Sequence, residues 1–323
     1  MLSVITIAPH YAGQCRMALE SLARQSVADQ LEVVVLAPDL EGWRDEWMGW
    51  FRSCRWVRVE QEQTFGTLMA RGVAESTGDY VTYAEEHGYF EPDWAAWILD
   101  AHQRGYSVVG FAMRNANPGT LTSWAHLYGQ FGPVVDPVES GETSFLAGHH
   151  VSYARRLFPG DSQQVAACWE DECAYFLYLK SVDEKLYLEG RAVSYHFNIS
   201  GLKHLMYLDF LGQRSFAESR ARLQGWTWRR RLLYALACPL VPWLRTARAV
   251  YHMVRTGRTF QLLPQALAPL ACTFGAGMLG EAMGYVFGAA QAPQRKLLYE
   301  LQRIEVMSAG DDARQVLLER TRL

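Results

Sequence analysis

A chain of 323 residues that is half hydrophobic and one-fifth charged can bury a large core. This excludes wholesale disorder and leaves room for one large domain with an appendage, or for two domains. The net charge of -3 hides an asymmetry: residues 219–280 hold nine arginines and no aspartate or glutamate, which points to a nucleic-acid or membrane partner for that part.

The chain opens on Leu2–Ala8, a β-branched apolar run stopped by Pro9, which reads as a strand buried on both faces and not as a signal peptide. Met17, Leu19, Leu22 and Ala23 recur at near-helical spacing. Leu31–Leu36 predicts a second buried strand ended by Pro38, and residues 56–59 a weaker one. Leu68–Ala74 reads as a helix, Tyr80–Ala84 as a strand, Trp94–His102 as a helix and Ser107–Met113 as a strand. Strands alternating with helices predict a largely parallel sheet covered on both sides. Six cysteines without a CxxC pair predict reduced, mostly buried thiols in a cytosolic compartment.

From Gly225 the character changes. Trp226, Trp228, Leu232, Leu233, Leu236, Leu240, Trp243 and Leu244 alternate with arginine, and Pro239 and Pro242 predict two helices there. Residues 260–290 carry one charge, Glu281, among five glycines and two prolines. That composition makes a poor membrane span and predicts an interfacial or re-entrant hairpin, with the arginines drawn to anionic lipid. The plainer reading is packing against the rest of the chain or a second subunit. Bulky apolar neighbours of the arginines argue against nucleic acid. Residues 294–323 read as one amphipathic, solvent-facing helix.

Four clusters carry candidate chemistry. Glu85-Glu86-His87 ends a strand, where ligands bind in open α/β sheets, and offers donors for a divalent metal; the plainer reading is a solvated acidic loop. Gly148-His149-His150 permits close backbone approach to a ligand, and Arg155 and Arg156 follow it as candidates for phosphate or carboxylate. The plainer reading is a turn before a helix with exposed histidines. Trp169-Glu170-Asp171-Glu172 opens a predicted helix; its dipole alone would favour the acids, and a general base is the sharper reading. His196 follows the strand-like Arg191–Tyr195.

The order of these clusters resembles the large family-two group of inverting glycosyltransferases, with the GT-A fold, over roughly residues 2–200. Val4–Tyr11 resembles the family's first strand and nucleotide loop, Leu31–Leu36 its second strand, and Met69–Gly72 with Gly78–Val81 the lead-in to its metal motif. Glu85-Glu86-His87 stands where the family has Asp-x-Asp, Gly148-His149-His150 in its acceptor loop, and Glu170-Asp171 at its Glu-Asp pair. The stretch around Gly280–Tyr285 resembles the membrane-proximal tail of some bacterial members. The chain departs from the pattern at Ala37, where the family usually has an aspartate, and at the metal motif.

The resemblance implies a GT-A domain over residues 1–200 and a helical region over 201–323. It implies transfer of a sugar from a nucleotide-sugar donor to a hydroxyl, on a lipid-linked or saccharide acceptor, at the cytoplasmic membrane face. Asp171 would be the base, with Glu170 orienting it. Pro9, His10, Tyr11, Asp39, Arg71 and Glu85 would bind donor, and Gly148, His149 and His150 would shape the acceptor side. Glu86, His87 and His196 would hold Mn²⁺ or Mg²⁺, imidazole favouring Mn²⁺. The alternative is a non-catalytic GT-A-like scaffold or partner subunit. Oligomeric state is left open.

Overall fold

The computed structural model describes residues 1–60 and 63–321. The described chain divides into two units, Met1–Ala116 with Asp136–His196 and Gln315–Leu323, and Asn117–Val135 with Phe197–Arg314. One change of unit falls at His196, and Asn117–Val135 belongs with the second unit.

The first unit is built on a nine-stranded sheet: β1 (Leu2–Ile7), β2 (Leu31–Ala37), β3 (Ser53–Arg58), β4 (Tyr80–Tyr83), β5 (Gly88–Phe90), β6 (Val108–Asn115), β7 (Gly141–Glu142), β8 (Val151–Ala154) and β9 (Leu186–His196). The order is β3-β2-β1-β4-β8-β6-β9-β5, with β7 also on β9. β1 to β4 run parallel, β8 is antiparallel to β4 and β6, and β9 is parallel to β6. β1 and β2 are buried along their whole length, as their unbroken apolar runs require. Helices α1 (Arg16–Ala23), α2 (Phe65–Glu75) and α3 (Trp94–Gln103) fall between the strands. The mixed, mostly parallel α/β sheet with helices between its strands is the class expected, and a helical C-terminal region follows it. Five described thiols are free, and Cys15, Cys54 and Cys238 among them are buried; the side chain of Cys173 lies outside the described ones.

A buried carboxylate sits at the amino end of β2. Glu32, 1% exposed, accepts from Ser3 Oγ (2.7 Å), Thr77 N (2.6 Å), Gly78 N (3.1 Å) and Arg55 Nη2 (2.8 Å). Burial pushes its carboxyl up, but the donated hydrogen bonds outweigh this and hold it below the usual range.

The second unit is helical. α4 (Leu121–Phe131) comes first in sequence; α5 (Ser162–Glu170) and α6 (Glu172–Ser181) return to the first unit; then follow α7 (Leu202–Leu223), α8 (Trp228–Ala237), α9 (Val241–Arg255), α10 (Thr259–Leu262), α11 (Leu267–Phe287), α12 (Ala292–Leu301) and α13 (Arg303–Val306). α14 (Asp312–Thr321) follows, its residues from Gln315 on belonging to the first unit, so the expected single C-terminal helix is three short ones, with the last two residues outside the described range. Two helices around Pro239 are as expected. Over 260–290, where a hairpin was expected, α10 ends at Leu262 and α11 runs unbroken from Leu267 to Phe287: Pro264 lies in the break before α11, and Pro269 in its first turn, where no intrahelical N–H is lost. Its glycines serve packing on α7. A Cβ on Gly280 would collide with the Phe210 carbonyl, on Gly284 with that of Arg214, and on Gly277 with the Asp209 carboxylate. That carboxylate is itself held by Arg245 in two hydrogen bonds of 2.7 Å and by Gln130 at 2.8 Å.

Because the obstacle at Gly280 is backbone, Gly280→Val should destabilise the protein by about 1–3 kcal/mol or more, read as a lower urea midpoint. An unchanged midpoint would contradict the close α7–α11 packing.

Candidate active site

The carboxyl ends of β1, β4 and β9 and the amino end of antiparallel β8 share one edge of the sheet, the edge where open α/β sheets bind ligands. Pro9, His10 and Tyr11 follow β1, Asp39 follows β2, Glu85 to His87 follow β4, His150 precedes β8 and His196 ends β9. β5 pairs antiparallel with the end of β9, Gly88 opposite His196, so His87 and His196 become neighbours across 109 positions of sequence.

Glu85 is the centre of this edge. Its Oε2 lies 3.1 Å from His196 Nε2, 3.4 Å from His87 Nε2 and 3.6 Å from His150 Nε2. Burial pushes the Glu85 carboxyl up, but the imidazoles of His196, His87 and His150 draw it well below the usual carboxylate range. Burial draws the His150 imidazole down to about 3, so that ring is neutral near pH 7. Glu86 behaves differently. Its Oε1 accepts from His87 Nδ1 at 2.9 Å, and its Oε2 is buried without a hydrogen-bond partner.

A carboxylate can only accept, so His87 Nδ1 donates to Glu86, and Nε2, once deprotonated, offers its lone pair on the side of Glu85 and His196. The Nε2 atoms of His87 and His196 stand 3.3 Å apart. Glu85, His87 and His196 thus offer three donor atoms within 4.8 Å of one another. A cation with bonds of about 2.0–2.1 Å needs donors roughly 3.4 Å apart in a tetrahedral arrangement, so the residues fit a divalent ion. Glu85, expected on the donor side, stands with the two histidines, and Glu86, expected among the ligands, orients His87 from behind.

The second cluster is Gly148-His149-His150, a turn before β8 and not before a helix. His149 has φ 67°, the left-handed region that a non-glycine residue adopts at a cost. Glu172 Oε2 compensates by accepting its N–H at 2.6 Å, while Glu172 Oε1 accepts from Tyr153 Oη at 2.8 Å. The His149 ring lies on Phe65 with centroids 4.1 Å apart. A side chain at Gly148 would crowd the Glu172 carboxylate, whose oxygen would stand 2.9 Å from its Cβ. The turn is therefore fixed by Glu172, and it presses His150 against Glu85.

The acidic run does not open one helix. α5 ends at Glu170, Asp171 breaks the chain with φ −134° and ψ 71°, and α6 starts at Glu172. Asp171 Oδ1 caps α6 by accepting from Ala174 N at 3.1 Å, and its Oδ2 is buried without a hydrogen-bond partner. Glu170 Oε2 accepts from Gly66 N at 2.9 Å, at the start of α2. Three neighbouring acids thus hold three different tasks.

On the expected donor side, Gln14 Oε1 takes the N–H groups of His10 (2.9 Å) and Tyr11 (3.2 Å). The Asp39 carbonyl accepts from Ala12 N at 2.9 Å, and its carboxylate from Glu41 N at 2.8 Å. Arg71 is exposed and paired with Glu75 at 2.6 Å. Arg155 is spent on the Val73 carbonyl (3.0 Å) and Ser76 Oγ (2.8 Å), and Arg156 on Glu184 (2.7 Å), so neither stands ready for phosphate. Glu172, named in sequence only as part of the acidic run, is the acid that fixes the His149 turn.

The chain matches no family model and no curated protein. Among solved structures it is similar to S. aureus TarS 1-349 in complex with UDP, with 14% identity and a TM-score of 0.45 over 87% of this chain and 90% of that one. It is similar to the same protein in complex with UDP-GlcNAc at 15% identity and a TM-score of 0.43, with the same coverage. For a longer TarS chain, of which 55% is covered, the identity is 13% and the TM-score 0.42.

Replacing Glu172 by alanine leaves the His149 N–H and the Tyr153 hydroxyl without acceptors, at about 1–3 kcal/mol for each. Glu172→Ala should therefore lower stability by about 2–5 kcal/mol, and Tyr153→Phe by less, in chemical denaturation. Equal stability of Glu172→Ala and wild type would contradict the role given to this carboxylate.

Proposed function

We propose that the protein is an inverting glycosyltransferase that moves a sugar from a nucleotide-sugar donor to an acceptor hydroxyl. The observation that carries this reading is the pairing of two unlike features near one strand edge. One is the compact donor set of Glu85, His87 and His196; the other is Asp171, a carboxylate fixed through one oxygen with its second oxygen buried and unpartnered. The Glu172-held turn at His149 and His150 links them in structure.

A divalent ion bound by Glu85, His87 and His196 would neutralise the charge on the leaving diphosphate, and two imidazoles among three donors favour Mn²⁺ or a borderline metal over Mg²⁺. Glu86 holds the His87 ring in its ligating tautomer. Asp171 Oδ2 takes the proton of the acceptor hydroxyl as that oxygen attacks the anomeric carbon. The bond from that carbon to the diphosphate breaks with its electron pair on the departing oxygen, and attack from the opposite face inverts the centre. Glu170, bound to the start of α2, braces α5 and so the position of Asp171. Pro9, His10, Tyr11 and Asp39 line the donor side, and Gly148, His149 and His150 the acceptor side. A lipid-linked or saccharide acceptor, in cell-surface polysaccharide or glycolipid synthesis, suits this reading. A non-catalytic scaffold would gain nothing from a buried carboxylate oxygen left without a partner.

Incubation with Mn²⁺ and a panel of nucleotide sugars should release nucleoside diphosphate from one donor, with inverted product configuration by NMR. Asp171→Asn should lower that turnover by about 10²–10⁴-fold. Wild-type turnover in Asp171→Asn would remove the base assignment, and absence of both turnover and donor binding would favour the scaffold. Separately, Mn²⁺ should raise the melting temperature of wild type, Glu85→Gln and His196→Ala should abolish the rise, and Glu86→Gln should weaken Mn²⁺ affinity about 10–100-fold. Loss in Glu86→Gln with retention in Glu85→Gln would return the ligating carboxylate to Glu86.

A further inference from the structure

The second unit carries an outward face that its own packing does not use. On α9, Trp243, Tyr251 and Val254 are 78%, 62% and 55% exposed, and Leu240 and Leu244 beside them 70% and 53%. Positions 240, 243, 244, 251 and 254 recur at helical spacing, while Ala249 and Met253 on the opposite side are buried. α8 has no buried residue; its Trp228, Leu233 and Leu236 are 60%, 64% and 73% exposed. Phe260, at the start of α10, is fully exposed. So many large apolar side chains on adjoining elements are an interaction surface and not scattered surface residues.

Charge says what the surface meets. Of the nine arginines between residues 219 and 280, five are engaged within the unit. Arg245 is held by Asp209, Arg255 by the Gly132 and Val135 carbonyls, Arg220 and Arg230 stack on Trp226, and Arg258 on Trp124. Arg222, Arg229, Arg231 and Arg248 have no carboxylate partner among the described residues. A partner must therefore offer apolar area and dispersed negative charge together. A helix with exposed tryptophan and leucine flanked by unpaired arginine satisfies both at the headgroup level of an anionic bilayer. Nucleic acid would leave the leucines against phosphate and water.

α11 is the one described helix long and apolar enough to cross a membrane, yet it is the scaffold here. Its glycines and the buried Glu281, which accepts from Tyr285 Oη at 3.0 Å, are committed to packing within the unit. We propose that the exposed face of α8 and α9, with Phe260, docks in the plane of an anionic phospholipid surface, while α11 stays in the protein and does not cross. This placement needs no assumption about the chemistry of the first unit.

The test is co-sedimentation of the full chain with phosphatidylglycerol-containing and pure phosphatidylcholine vesicles. Binding is expected to the anionic vesicles only, to weaken as salt rises, and to fall about a hundredfold or more in Arg229→Glu/Arg231→Glu/Arg248→Glu. Leu236→Ser/Trp243→Ser, at exposed positions that leave the melting temperature unchanged, is expected to reduce binding at low salt too. No vesicle binding at low salt overturns the proposal, as does self-association lost in the Leu236→Ser/Trp243→Ser variant without vesicle binding, which would assign the face to a second copy. Membrane retention through high salt and alkaline extraction overturns the in-plane placement and makes α11 a span.

Discussion

A carboxylate buried to the extent of Glu85 must be compensated, and the edge of the sheet is arranged around that requirement. Its compensation comes from imidazoles, not from arginine or lysine. Imidazoles are weaker partners for a carboxylate than guanidinium, but unlike guanidinium they carry lone pairs. The same groups that make Glu85 tolerable in the interior therefore make it useful to a cation. Each histidine is delivered by a different piece of topology: His87 by the turn after β4, His150 by the turn before β8, and His196 by β9 through its pairing with β5. A change in the register of any of these pairings would dissolve the cluster.

The second arrangement answers a local cost. His149 sits in left-handed backbone, and the 148–150 turn is stable because Glu172 accepts its N–H and the Phe65 ring covers its imidazole. Glu172 can do this because Asp171 interrupts the helix and aims the next residue inward. Capping, turn strain and the cation-ready edge are thus one chain of dependencies, from a single helix break to the position of His150 beside Glu85.

β1 and β2 were legible because parallel strands buried on both faces leave unbroken apolar runs, Leu2–Ile7 and Leu31–Ala37, whereas the short β5, β7 and β8 leave no such run and were not read. The clusters at the strand ends were legible as residue types in order. Which carboxylate stands with the histidines was not read, although residues two apart at a strand end tend to share a side, a signal that would have put Glu85 with His87. The acidic run was read as the start of a helix, and α6 does start there at Glu172; what was not read is α5 before it, which makes Asp171 the cap between two helices. Within 260–290, Pro264 does mark a break, but Pro269 lies in the first turn of α11, and the glycines of that helix face α7 and serve packing. The inclusion of Asn117–Val135 in the second unit rests on long-range packing, which local pattern does not encode.

The central claim is that the triad of Glu85, His87 and His196 lies where the donor diphosphate is released. Crystals grown with Mn²⁺ and a nucleoside diphosphate, measured at the manganese absorption edge, test it most directly. One anomalous peak is expected between Glu85 Oε2 and the Nε2 atoms of His87 and His196, next to a diphosphate oxygen, with Asp171 Oδ2 facing the acceptor side. A peak on other residues, or a diphosphate bound away from the carboxyl ends of β1 and β4, would contradict it.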